Sequence, residues 1–132
     1  MCAKRYEDLD AWQLADELKE KGYALIDNSA ARNDFEFRNQ LRDSLSSATA
    51  NIAEGFGYYD HGQFARHVRI ARASEMETHD HLADGVKRGY WTNEKASPLQ
   101  QLAKRAIGAA TGLLRYLDTT EAPQRWKKRR RR

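Results

Sequence analysis

Cysteine is nearly absent: Cys2 is the only one among 132 residues. One thiol makes no internal disulfide and no cysteine-type zinc site, and at this place in the chain it is expected to be exposed and inert. Proline occurs twice, at Pro98 and Pro123, so long stretches are free to be helical. No run of about 18 apolar residues exists, which argues against a transmembrane helix. The first eight residues have no apolar stretch of the secretory type. A cytoplasmic protein with no membrane partner is the expectation.

β-branched residues are sparse and no segment alternates at period two, so helical spacing dominates. Trp12, Ala15, Leu18, Gly22 and Leu25 recur at helical intervals and predict a first helix over about residues 9–28, capped by Asp8. Phe37, Leu41, Leu45, Ala48, Ile52 and Phe56 predict a second over 34–56, with Asn33 and Glu36 at capping-box spacing. Phe64, Val68, Ala71, Thr78, Leu82 and Val86 predict a third over 61–88, capped by Asp60 and stopped by Gly89. Ser97 as N-cap, Pro98 as first residue and Gln100 two further on predict the start of a fourth, whose stripe is Leu99, Leu102, Ala106, Ala109, Leu113 and Leu117. Short connections between long helices favour antiparallel neighbours. The expected fold is all-α, an antiparallel up-and-down four-helix bundle over residues 1–118, with 40% hydrophobic residues to fill one core.

Charge is unevenly spread. Residues 119–132 hold seven basic residues against Glu121, a net +6 that leaves the other 118 residues at −2 out of the total +4. This tail is expected to be disordered alone. Arg125, Trp126, Lys127, Lys128, Arg129, Arg130, Arg131 and Arg132 form the clearest nucleic-acid signal: the cations displace counterions from phosphates, and the indole stacks on a base. Arg66, Arg69 and Arg72, with Lys87 and Arg88, are further candidates for phosphate contact on the third helix.

The second helix lacks charge where a surface helix needs it. Glu54 is the only charged residue between Asp43 and Asp60. A helix neutral all round is normally covered all round, so a second subunit is expected against its Ser47, Ala50, Asn51 and Glu54 side. The facing strip of the third helix would be Ile70, Ala73, Ser74, Glu77 and His81. If Glu54 is buried there it needs a cation, and Arg42 and Arg72 are the candidates, with Asn51 joining the network.

Asn51-Ile52-Ala53-Glu54-Gly55 resembles the signature of the four-helix-bundle family named after proteins encoded in intervening sequences of large-subunit ribosomal RNA genes. Other pieces match in order: Asp8-Leu9-Asp10-Ala11-Trp12, Gln40-Leu41-Arg42, Phe64, Ile70-Ala71-Arg72-Ala73-Ser74 with Glu77, Gly89-Tyr90 and Gly112-Leu113-Leu114. Ala73 stands where the family usually has Gly, and Glu75 where an apolar residue is common. The resemblance implies a ring-like homo-oligomer, a pentamer, without enzymatic activity, and relatives that accompany diversity-generating retroelements and engage nucleic acid through a basic surface.

Catalytic and cofactor motifs are wanting. Gly55-Phe56-Gly57 lacks a third glycine and follows a helix, not a strand. Glu77, Asp80, His81 and Asp84 share a side of the third helix, but the Glu-x-x-His pair of bundle di-iron proteins is absent. No enzyme, metal or cofactor is expected. The expected function is an oligomeric adaptor associated with RNA or DNA, the alternative being a protein–protein scaffold whose partner the sequence does not name.

Overall fold

The computed structural model describes residues 3–58 and 60–120, so Cys2 and the basic tail from residue 121 lie outside the described residues. Its four long helices are α1 (Asp10–Asp27), α2 (Phe35–Phe56), α3 (His61–Lys87) and α4 (Asn93–Thr119). Short 3₁₀ turns, Tyr6–Asp8 and Ala30–Asn33, precede α1 and α2. No strand occurs among the described residues.

Each helix packs on the next in sequence, and α4 closes onto α1. Pairs across the seams run in opposite directions, which establishes the antiparallel order. Lys19 reaches Thr49 at 3.4 Å and Asp27 meets Arg42 at 3.6 Å between α1 and α2. Ser44 meets Thr78 at 2.8 Å and Asn51 meets His67 at 3.0 Å between α2 and α3. Arg72 meets Thr111 at 3.4 Å and His61 meets the Thr120 carbonyl at 3.0 Å between α3 and α4.

Two apolar clusters fill the interior. One gathers Leu9, Ala15, Ala48, Ile52, Phe64, Val68, Leu114 and Leu117 at the end where α1 begins and α4 finishes. The other gathers Leu18, Ile26, Phe37, Leu41, Leu45, Leu82, Trp91 and Leu99 at the opposite end. The stripes expected from periodicity supply most of both.

Three helix starts differ from expectation. Asp8 accepts the Lys4 and Arg5 amides at 3.3 Å and so closes the 3₁₀ turn, leaving buried Leu9 at the N-cap of α1. The cap of α2 is Asp34, which accepts the Phe37 amide at 3.2 Å, and not Asn33. α4 begins at Asn93, capped by Thr92, whose hydroxyl accepts the Lys95 amide at 3.2 Å. Pro98 therefore lies inside α4, where its ring removes one backbone hydrogen bond. The extra turn is held because Trp91, Ala96 and Leu99 are all buried in the second cluster.

α3 ends as expected at Gly89, with φ +80°, a conformation that favours glycine. The Gly89 amide donates to the Val86 carbonyl at 3.0 Å and the Tyr90 amide to the Gly85 carbonyl at 2.9 Å, the two bonds of a Schellman stop. The turn swings Trp91 back over α3, where its indole N–H donates to the Leu82 carbonyl at 2.9 Å. No helix among the described residues is long and apolar enough to cross a membrane.

Candidate nucleic-acid interface

The α3–α4 seam carries a groove of ≈340 Å³ lined by Arg69, Arg72, Thr111, Leu114, Arg115, Asp118 and Thr119. Arg69 and Arg72 stand one turn apart on α3, and Arg115 joins them from α4 because the antiparallel register sets Thr111 against Arg72. Leu114 forms the apolar floor, buried in the first cluster.

The three guanidiniums are held unequally. Arg69 lies 3.8 Å from Asp118, with both side chains more than half exposed, an ion pair of the weak surface kind. Arg72 donates to the Thr111 hydroxyl at 3.4 Å, and that hydroxyl donates to the Ile107 carbonyl at 2.9 Å. Arg115 makes no side-chain hydrogen bond or ion pair with another described residue. A cluster of three cations with one carboxylate, open to solvent, suits a phosphate diester, since guanidiniums bind phosphate oxygens through paired N–H groups.

The last described residue, Thr120, is tied to the start of α3 by its bond to His61. From there the sequence runs on to Arg125 and the Lys/Arg cluster. The groove thus lies in the final turns of the helix that leads into the tail. Of the basic residues proposed along α3, Arg66 is exposed beyond the groove lining. Lys87 and Arg88 lie at the far end of α3. Arg88 is committed there, to Asp84 at 2.9 Å and Asp34 at 3.2 Å. They do not join the arginine groove. Arg115 was missed by sequence reasoning, and its only signal is the pairing of α4 against α3.

The α2–α3 face is built differently. Asn51 donates through its amide nitrogen to the Ser47 carbonyl at 2.9 Å and the Ser47 hydroxyl at 3.1 Å. Its carbonyl oxygen is thereby aimed at His67 Nδ1. Ser74 donates to Ser47 at 2.9 Å, and Tyr58 stacks on the His67 ring with centroids 5.2 Å apart. The chain's own α3 therefore covers much of the Ser47 and Asn51 side of α2. Glu54 is not buried within the chain: its side chain is 62% exposed, 3.9 Å from His67. Neither cation considered for it arrives. Arg42 sits in the α1–α2 seam, beside Asp27 and 4.4 Å above the Tyr23 ring, and Arg72 sits in the α3–α4 seam. Glu77 pairs instead with His81 at 3.1 Å. Ala50, Glu54, Ala73 and Ile70, the last 41% exposed, remain on the outside.

A wider groove of ≈590 Å³ between α1 and α4 is lined by Asp10, Gln13, Leu14, Glu17, Arg105 and Ala109. Two acids against one arginine make it a poor seat for a polyanion. Among the described residues no group of three or more His, Cys, Asp or Glu side chains is placed to hold a metal ion.

No curated protein matches the chain in sequence. A family model described as 23S rRNA-intervening sequence protein matches residues 7–111, a span that takes in α1 to α3 and most of α4. The order of the short motifs, the four helices and this match agree, and the chain belongs to the 23S rRNA-intervening sequence protein family.

Proposed function

We propose that this protein is a non-enzymatic, self-assembling adaptor that holds RNA by its phosphate backbone, using the α3–α4 arginine groove together with the basic tail. The carrying observation is the convergence of Arg69, Arg72 and Arg115 in one groove, in the last turns of the helix that leads into residues 125–132. The family description, which names an intervening sequence of ribosomal RNA, supports RNA as the polyanion. Each phosphate engaged releases counterions, so affinity falls as salt rises. In a ring of subunits several tails and grooves act on one strand, which multiplies the effective affinity. A pentamer is the assembly that the family resemblance favours. The exposed Ala50, Ala73 and Ile70 support the α2–α3 face as the subunit contact.

Filter binding of labelled single-stranded RNA, titrated across salt, tests the proposal. Removal of residues 124–132 and, separately, Arg72→Ala with Arg115→Ala should each weaken binding and flatten its salt dependence. Unchanged affinity in both would leave the scaffold reading, which the outward Ile70 and Ala50 favour and which predicts a purified oligomer free of nucleic-acid absorbance.

A further inference from the structure

Five polar or charged residues are buried in the described chain: Ser44, Thr49, His61, Glu75 and Thr78. His61 is accounted for by its bond to Thr120. The other four fall where the two apolar clusters meet. On α3, Glu75 and Thr78 lie between Ala71 of one cluster and Leu82 of the other. On α2, Ser44 and Thr49 bracket Leu45 and Ala48, which belong to different clusters. The bundle has a polar waist.

Three of the four are satisfied. Ser44 and Thr78 bond to each other and to the Leu41 and Ser74 carbonyls. Thr49 receives Lys19 and donates to the Ser46 carbonyl. Glu75 is 0% exposed, and neither carboxyl oxygen has a hydrogen-bond partner. An ionised carboxylate in that setting is costly unless paired.

No counter-charge is supplied by the packed helices. The seam register sets Ser44, Ser47 and Ala48 of α2 at this level, with Ala106 and Ala110 of α4 and Leu18 and Gly22 of α1. The charged groups near the waist are otherwise engaged or outside. Lys19 and Asp16 of α1 pair at 3.7 Å. Arg72 is held on Thr111. Lys104 and Arg105 of α4 and Asp43 of α2 are exposed, and the remaining titratable neighbour on α3, His79, is half-buried. Burial alone pushes the Glu75 carboxyl up to about 8.

We propose that Glu75 makes the bundle proton-responsive: the neutral acid closes the waist, and its ionisation opens the α3 seams there while the apolar ends stay packed. Arg72 lies one turn away on α3, so the same opening loosens its hold on Thr111. The device rests on the core geometry and stands whether or not the groove binds RNA.

The test uses the full chain with ¹³C-labelled glutamate side chains. One carboxyl resonance should titrate at about 8 and be missing from Glu75→Gln. Amide exchange over residues 71–79, corrected for its chemical pH dependence, should rise roughly tenfold or more above that midpoint in the wild type and not in Glu75→Gln. Titration of every glutamate in the ordinary carboxylate range overturns the proposal. So does a rise in exchange of the same size in Glu75→Gln, or none in the wild type. Should Glu75→Gln fail to fold, Glu75→Leu replaces it, and the wild-type titration decides independently of both.

Discussion

The indole of Trp91 lies so close over Gly85 that a methyl group added to that glycine would stand 2.1 Å from Cζ2. The contact joins the last turns of α3 to the segment that leads into α4. Gly85→Ala should cost about 1–3 kcal/mol, the usual range for overpacking a filled core. Thermal or urea denaturation followed by tryptophan fluorescence measures it, and an unchanged midpoint would show that the indole is free to move aside.

The arginine groove makes a graded prediction. Arg72→Ala and Arg115→Ala should each lower the slope of log affinity against log salt by about 1, the signature of one lost phosphate contact. Lys87→Ala, at the other end of α3, should leave the slope unchanged. An equal effect from Lys87 would mean that RNA is held by diffuse charge with no particular groove.

Subunit contact through the α2–α3 face is tested at Ala50. It is exposed in the single chain, so Ala50→Arg should leave the helical content intact. Light scattering should show the mass falling from a multiple of 15.2 kDa toward that of one chain. An assembly that survives Ala50→Arg and Ile70→Glu together would place the contact elsewhere.

Two carboxyls should shape the pH dependence in opposite senses. Asp34 accepts hydrogen bonds from Tyr90, the Phe37 amide and Arg88, in that order of influence, and is held below the usual carboxylate range. Its folded form binds its proton less tightly than the unfolded chain does. Its contribution is therefore present above the ordinary aspartate range and is lost as the pH falls through its lowered value. Asp34→Asn should lower the melting temperature at neutral pH and matter little in strong acid.

Glu75 has the reverse sign. The unfolded chain gives up this proton at 4.5, whereas the folded one keeps it to about 8. Between those values the folded state binds more protons, so stability declines as pH rises, by up to about 1.4 kcal/mol per unit. Above the folded value the curve levels. Denaturation at successive pH values should show this slope in the wild type and not in Glu75→Gln; equal slopes would mean that water or a base already reaches the carboxyl.

Periodicity located α1, α2 and α3 to within a residue or two because each has a continuous apolar stripe between clear stops. It misplaced the start of α4 by five residues, since Ser97 and Pro98 mimic a helix entry while Thr92 lacks a glutamate or glutamine partner at Lys95. The stripe of α3 has a step from Ala71 to Thr78 whose missing member is position 75. Spacing puts that residue inside and polarity puts it outside, and in the structure spacing prevails. Arg69 and Arg72 were legible only within the row of Arg66, Arg69, Arg72, Lys87 and Arg88, and Arg115, which joins the two in the groove, depends on how two helices slide past one another. The neutrality of α2 predicts a neighbouring subunit against it. Part of it is answered within the chain, where Ser47 and Asn51 meet Ser74 and His67.

Leu9 and Leu117 share one apolar cluster, because the fourth helix returns to lie beside the first. The two described ends of the chain are therefore neighbours in space, and the 18 residues of α1, about five turns, separate them from the loops at the far end. A short linker could join them, and the chain could be cut anew at the surface turn around Ser29, without moving any helix away from the two it now touches. Such a circular permutant would carry the basic segment in the middle of its sequence. The bundle would tolerate the rearrangement to the extent that lateral fit, and not the order of the segments, specifies it.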